Sequence, residues 1–552
     1  MTLGKKNIYF QFYFWILVYI AISLPLSKYT MSMGSILLFV LWLMEDFQGE
    51  VALRFFRQKG FIRGISLFLA YVWHLTKQNL NEKFNRFLHN KAAVIFASIY
   101  FLHLAGLFFT ANFAYGMKDL KVKLPLFFFP LVFAGMPKLD YRWFRKLLLY
   151  YLCAVFIGTL YSSYLLVKGD FLDIREISPF ISSVRFGLNI SFGFFILLYF
   201  IIADHHFNQK QKISMGLMAL WFLVFLSLME SITSLSIILI IGIFYLIFLT
   251  FKIRNLILKG TLFLLILAIP SFLYTYVKDV VHEATTVILP TAPPDKLTAL
   301  GNPYTFDTIN QGVEDGKYVG WYLCESELKK AWNQRSSIDF NGTDKQGNEL
   351  RETLIRYLTS KNLRKDAAGV AALTSRDINR VENGVANYNY LKHPGLRSRI
   401  LKILKGYQVY KSTGNPSGNS LMQRIEYTKA SLGIIKSNFW HGVGTGDLQD
   451  AFYGEFSAMH SQLSRKFMFH AHNQYLAIFV AFGIFGLLIF LFALIYPVLI
   501  THAYRDYFFV VFYLIMLISM LSDDTLETHA GVMLFAFFTS LILFGKQRKN
   551  AV

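Results

Sequence analysis

The chain has 552 residues, of which 55% are hydrophobic and only 16% are charged. Soluble proteins carry about 25% charged residues, so this composition indicates that lipid covers much of the apolar surface. With only 2 cysteines and 13 prolines, a disulfide scaffold and a collagen-like chain are excluded. The 55 basic residues exceed the 34 acidic ones by 21. In a multi-pass membrane protein this excess reflects basic cytoplasmic loops, and we expect no nucleic-acid partner.

Apolar runs long enough to cross a bilayer recur along the chain. A span needs about 20 mostly apolar residues, and fewer where the helix is short. The sequence therefore predicts an all-α polytopic membrane protein. Its expected transmembrane helices, about twelve in number, lie near residues 8–26, 31–45, 92–113, 124–136, 146–167, 186–203, 213–229, 231–250, 260–277, 474–500, 508–521 and 530–545.

The distribution of basic residues predicts the topology. A thirteenth run, 61–75, contains Arg63 and fits an amphipathic helix on the membrane surface better than a span. With this run outside the bilayer, both termini are expected in the cytoplasm. The basic segments that then fall in the cytoplasm are Arg54–Lys91, Lys138–Lys146, Lys210–Lys212, Lys252–Lys259 and Lys546–Lys549. The one basic cluster left on the outer side comprises Lys118, Lys121 and Lys123.

Three regions follow from this layout. Residues 1–277 form spans one to nine, 278–470 form an extracytoplasmic loop domain, and 471–552 form spans ten to twelve and a cytoplasmic tail. The loop domain has a polar composition. We expect it to be folded and partly helical, because loops of this length rarely lack structure. Its helical patterns lie at 321–334, 349–360 and 420–436. The last begins with Ser420 and Gln423 at the spacing of a capping box.

Ionisable side chains are almost absent from the predicted spans, apart from His103. Transporters and pumps usually bind their substrate or coupling ion near the midplane through such groups, so a carrier is disfavoured. The reactive side chains instead collect at the outer ends of the spans, where they suit chemistry on the polar head of a lipid-borne substrate. They are Arg185, Glu230, His470, His472, Asp523, Asp524, Glu527 and His529.

The segment 468–476 leads from the loop domain into the tenth span. In it, His472 and Asn473 are followed by nine residues and then by Gly483, two further residues and Gly486. This spacing resembles the signature of the O-antigen ligase and O-antigen polymerase superfamily, and most resembles an O-antigen ligase.

Two upstream features strengthen the resemblance. Arg424 heads a predicted helix, which the glycine-containing segment 439–446 follows, as in that family. Arg185, at the outer end of a span, matches as well. The resemblance implies transfer of a glycan from undecaprenyl diphosphate to an acceptor, most simply the glycolipid lipid A-core, without a metal ion or cofactor. It also implies membrane lipids as partners and a bacterial inner membrane, with the catalytic face in the periplasm.

The implied roles agree with the chemistry of the residues. An attacking hydroxyl needs a base, and histidine, with an unperturbed pKa near 6.5, is suited to it, so His472 is predicted as the general base. A departing diphosphate needs cations, and the planar fork of arginine binds phosphate oxygens in pairs, which assigns Arg185 and Arg424 to it. Supporting candidates are Asn473, His470, Lys278 and Asp524. His470 and His472 are spaced like two metal ligands, but no third is evident, so no metal is predicted.

This sequence departs from the family at two places. Many members carry a Ser-Arg pair at the start of the span after Glu230, where this chain has Thr233, Ser234 and Leu235. If that arginine helps to bind the diphosphate, another cation such as Lys278 or Arg465 must substitute for it, or the affinity for the diphosphate is lower. The insertion 288–394 is also long. A polymerase or a protein O-oligosaccharyltransferase would use the same residues, and a lipid-linked glycan flippase or a non-catalytic scaffold is the alternative from another class.

Overall fold

The computed structural model describes residues 3–169, 174–287, 294–309, 312–392 and 395–547. The described chain is mostly helical, as the composition predicts, and its few strands are short. One large apolar core runs through the helices of both ends of the chain, and a separate core lies in the loop domain.

The first part of the chain is a series of helices joined by short turns. Asn and Asp caps begin several of them; Asp140, for example, accepts a hydrogen bond from the Trp143 amide. The helices are α1 (Leu3–Leu26), α2 (Lys28–Leu43), α3 (Gly49–Lys59), α4 (Phe61–His89), α5 (Lys91–Ala105), α6 (Phe113–Lys123), α7 (Pro125–Gly135), α8 (Tyr141–Lys168), α9 (Ser183–Ile202), α10 (Gln209–Leu228), α11 (Ile232–Lys252) and α12 (Leu256–Thr285).

The loop domain combines two antiparallel sheets of two strands each with short helices. Strands β1 (Thr305–Asp307) and β4 (Gly320–Leu323) pair, and β2 (Val313–Glu314) pairs with β3 (Lys317–Tyr318). Trp332, Leu354 and Tyr357 are fully buried in its core. Its helices are α13 (Glu325–Asn333), α14 (Leu350–Ser360), α15 (Ala367–Ala371), α16 (Ser375–Glu382), α17 (Asn389–Lys392), α18 (Leu396–Thr413), α19 (Ser420–Ser437) and α20 (Leu448–Ala458).

Three apolar helices complete the bundle: α21 (Gln474–Ile500), α22 (Tyr507–Ser522) and α23 (His529–Ser540). α21 packs against α5, and α23 packs against α7. The helices α21 and α23 thus lie against the first part of the chain.

Eight helical segments of the described chain are long and apolar enough to cross a membrane. They are Ile8–Leu26, Lys91–Phe109, Tyr141–Lys168, Ser183–Ile202, Gln209–Leu228, Ile232–Lys252, Leu256–Thr285 and Gln474–Ile500. Three shorter apolar helices are Lys28–Leu43, Tyr507–Ser522 and His529–Gly545. The run 61–75 lies in α4, which is not among these segments. The chain is therefore a mostly helical membrane protein.

Several predicted boundaries differ from the structure. The run 92–113 ends early, because the helix tightens to a 3₁₀ turn at Gly106–Phe109 and breaks before α6. The predicted helix start at Trp321 is wrong, since Trp321 lies in β4 and pairs with Phe306 of β1. The capping box at Ser420 is also wrong: the Asn419 side chain caps α19 and accepts from the amides of residues 421 and 422.

α21 is broken at Gly483, whose φ of 65° is a left-handed conformation that favours glycine. The break leaves backbone groups of α21 without their helical hydrogen-bond partners, and the segment 439–444 supplies partners for them. The Val443 amide donates to Val480 O at 3.0 Å, the Gly444 amide to Ala481 O at 2.8 Å, and the Ile484 amide to Phe439 O at 2.8 Å. The segment 439–446 therefore docks against this break.

We expect Gly483→Ala to destabilise the protein. The left-handed backbone costs a side-chain-bearing residue about 1–2 kcal/mol, and an added Cβ would lie 2.2 Å from Trp440 O. Gly242→Ala is the matched control, because its Cβ would meet no atom within 4 Å. Thermal unfolding of the purified variants in detergent measures both effects. An unchanged unfolding midpoint for Gly483→Ala would contradict this account of the break.

Candidate functional site

His472 lies in the irregular segment that leads into α21 and lines a cavity of about 360 Å³. Its φ is 45°, a strained left-handed value for a residue with a side chain. Such strain persists only where the surroundings over-determine it, and it is concentrated at functional sites. Its ring packs against Tyr427 of α19 at 5.2 Å and against Phe469 at 6.3 Å between centroids.

Two carboxylates face the Nδ1 atom of His472. Asp523 Oδ1 lies 3.5 Å from it and Asp524 Oδ1 lies 3.4 Å from it. Both come from the turn between α22 and α23, and both are buried. These distances are longer than an aligned hydrogen bond, so the attraction is mainly ionic.

Arg185 in the first turn of α9 reaches the same carboxylates. Its Nη1 lies 2.6 Å from Asp523 Oδ2, and its Nη2 donates to the backbone oxygen of Asp524 at 3.2 Å. The side chain is only 7% exposed, and its Nε has no hydrogen-bond partner among the described residues. The structure thus brings Arg185, His472 and Asp524 together, and adds Asp523 as the carboxylate between the two cations.

The two histidines of the segment lie in opposite electrostatic settings. Burial disfavours the charged form of His472, but the carboxylates of Asp523 and Asp524 outweigh that cost and raise its pKa to about 9. For His470 burial dominates, and it lowers the pKa despite the nearby charges of Glu527 and Asp524. The carboxyl of Asp524 is itself buried, but His472 and Arg185 lower its pKa.

A second buried ion network lies beside the cavity, and sequence analysis missed it. Lys123, fully buried at the end of α6, pairs with Asp119 and with Glu527 at 2.7 Å. Asp119 also contacts His103 Nδ1 at 3.1 Å. Gln474, at the start of α21, donates to Glu527 at 3.0 Å. The network joins α5, α6 and α21 to the turn that carries Asp524.

One signal for this network was present in the sequence. Lys123 belongs to the basic cluster that the positive-inside rule leaves on the outer side. A buried partner for that charge explains part of the anomaly, because ionised side chains are buried only when paired. The partner acids, however, lie 4 and 404 residues away, and only the first spacing is visible in a sequence.

Arg424 lies on α19 one turn before Tyr427, the residue whose ring contacts His472. It is half-buried and makes no ion pair with a residue of the described chain. It does not line the cavity, and its link to the site is its place on the same helix as Tyr427.

The supporting candidates differ in their placement. Asn473 caps α21 by accepting from the Leu476 amide at 3.1 Å, and donates to Leu521 O at 2.9 Å, so its side chain is engaged in structure. His470 lines the cavity and its Nε2 lies 3.2 Å from the Tyr115 hydroxyl. Lys278 is exposed on α12, whose neighbours are α11, α18 and β2, and it is not brought to the site.

His472, Asp523 and Asp524 are also a candidate metal-ligand group, because their ligand atoms lie within 4.8 Å of one another. One nitrogen and two carboxylates suit a divalent cation. The guanidinium of Arg185, however, already lies against Asp523. A metal ion would have to compete with that charge, so these residues fit an ion poorly.

The fold and the site define a helical membrane protein with a His-carboxylate pair at one end of its bundle. A family model described as O-antigen ligase matches residues 368–491, which include Arg424, His470, His472 and Gly483. The resemblance to the O-antigen ligase superfamily noted in the sequence is therefore confirmed over this part of the chain. No curated protein matches the chain.

The opposite settings of the two histidines can be measured directly. Hydrogen exchange at histidine C2, followed by mass spectrometry, should give a midpoint near pH 9 for His472 and one below about 6.5 for His470. In Asp524→Asn the midpoint of His472 should fall, because one of the two carboxylates that favour the imidazolium is lost. A His472 midpoint at or below that of His470 would contradict the arrangement.

Proposed function

We propose that the chain is a glycosyltransferase that moves a glycan from undecaprenyl diphosphate to an acceptor. The acceptor is a hydroxyl group on a sugar of lipid A-core. The observation that carries the proposal is His472, which lies in the segment matched by the O-antigen ligase model and faces two buried carboxylates that also contact an arginine. In this proposal the reaction takes place at the periplasmic face of a bacterial inner membrane, because the positive-inside rule puts the ends of α9, α21 and α22 that carry the site on the outer side.

The proposed topology has twelve spans. The eight long segments and three shorter apolar helices, together with α7, supply them, and α12 and α21 become the ninth and tenth. The loop domain then lies between these two spans on the outer face, and α4 rests on the cytoplasmic surface.

In the proposed reaction His472 is the general base. The carboxylates face Nδ1, which leaves Nε2 as the nitrogen that accepts the proton of the acceptor hydroxyl. The hydroxyl oxygen bonds to the anomeric carbon, and the bond from that carbon to the diphosphate oxygen breaks with its electron pair on the diphosphate. Direct displacement inverts the anomeric configuration.

Arg185 and Arg424 are proposed to hold the diphosphate. Arg424 has no carboxylate partner in the described chain, so its full charge is available to phosphate. Arg185 is paired with Asp523, and it would bind phosphate through its unused Nε or by exchanging this carboxylate. No step requires a metal ion.

Loss of the base should remove most of the activity. With undecaprenyl-diphosphate glycan and lipid A-core in liposomes, His472→Ala should lower kcat by about 10²–10⁴-fold, whereas the exposed control His205→Ala should match wild type.

With a pKa near 9, about 1% of His472 is neutral at pH 7, so the wild-type rate should rise about tenfold per pH unit below that pKa.

The same assay distinguishes the alternatives. Full activity of His472→Ala would overturn the base assignment. Activity that requires a divalent ion, measured with and without chelator, would instead make His472, Asp523 and Asp524 metal ligands. Movement of lipid-linked glycan across the bilayer without transfer would indicate a flippase, and transfer to a growing glycan or to protein would name another member of the superfamily.

Arg424→Gln should weaken donor binding. A charge-assisted bond to phosphate contributes about 1.5–3 kcal/mol, so the KM for the donor should rise about 10–100-fold while the acceptor KM stays constant. Lys436→Gln is the matched control, because Lys436 is an exposed cation at the far end of the same helix. Equal donor KM values for both variants would remove Arg424 from the diphosphate site.

A further inference from the structure

The cavity beside His472 contains one cation to which the proposed reaction gives no role. Lys118 of α6 lines it together with Tyr115, Phe469 and His470. Lys118 is exposed and makes no ion pair or hydrogen bond with any residue in the described ranges. It is therefore free to bind a group that enters the cavity.

The other charges around the cavity are already engaged. Four carboxylates, those of Asp119, Asp523, Asp524 and Glu527, face three cations, those of Lys123, Arg185 and protonated His472. This set carries one net negative charge, or two when His472 is neutral as the proposed reaction needs it, and Lys118 offsets one of them. Without Lys118 the cavity would repel an anion.

The cavity is lined from α6, from the segment around His472 and from the turn after α22, and neither Arg185 nor Arg424 is part of its lining. If the diphosphate is held by these two arginines, as the proposed function has it, the cavity is left for the acceptor. Phe469, 48% exposed and beside the His472 ring, offers an apolar face to a sugar.

We infer that Lys118 selects an acceptor that carries an anionic group, a phosphate or carboxylate, close to the reacting hydroxyl. The inference rests on the proposed function and adds the chemical class of the acceptor to it. A lysine ammonium suits this task as a mobile point charge that reaches one anion in several poses.

The test compares Lys118→Met with Lys121→Met, an exposed lysine of the same helix that does not line the cavity. Each variant receives two acceptor saccharides that differ only in one phosphate group. Lys118→Met should raise the KM for the phosphorylated acceptor about tenfold and leave the neutral acceptor and the donor unchanged. Lys118→Arg should restore the preference, and high salt should reduce it in wild type.

The outcomes separate the inference from the function beneath it. Equal use of both acceptors by wild type and Lys118→Met would overturn the inference while the transferase stands. A raised donor KM with unchanged acceptor preference would also overturn it, by assigning Lys118 to the diphosphate. If wild type transfers to neither saccharide, the affinity for the phosphorylated saccharide is measured by calorimetry. Equal affinity for wild type and Lys118→Met would overturn the inference.

Discussion

The arrangement of the site depends on the buried carboxylate pair Asp523 and Asp524. Two adjacent anions removed from water are tolerated only if cations face them. Arg185 from α9 and His472 from the start of α21 supply that charge, so three elements distant in sequence are held at one point. The same attraction that stabilises the turn also fixes the orientation of the imidazole and raises its basicity. The packing of the turn and the basicity of His472 therefore depend on the same two carboxylates.

The broken helix α21 explains why the His472-to-Gly483 spacing matters physically. Asn473 caps the helix at one end of this interval and Gly483 breaks it at the other. The segment 439–444 docks on the break and follows α19 directly in the chain. Because α19 ends where this docking begins, the helix is held against His472 through Tyr427. The spacing from His472 to Gly483 thus corresponds to a physical connection between α19 and α21.

A site residue can be predicted from the sequence when its neighbours in the chain mark it out, and it cannot when its role depends on a partner distant in the chain. His472, Arg185 and Asp524 could be nominated because polar residues at span ends stand out against apolar runs. Lys123 could not, since its role depends on Glu527, 404 residues away. Local rules also misassigned the cap of α19, where Asn419 outcompetes Ser420 because its side-chain oxygen reaches the first free amides. The pairing of Lys123 thus depends on tertiary structure, whereas the cap of α19 depends on a choice between two neighbouring residues that spacing alone does not make.

In the proposed displacement the attacking oxygen and the departing diphosphate lie on opposite sides of the sugar carbon. Two different surroundings flank His472: the Tyr427 ring of α19, which packs against the imidazole, and the cavity lined by α6. A single base between them can take a proton only from the side its free nitrogen faces. The carboxylates fix that nitrogen, because they engage Nδ1. In this proposal the geometry of one ion cluster decides which hydroxyl loses its proton to His472, and the diphosphate on the other side of the sugar carbon is the leaving group.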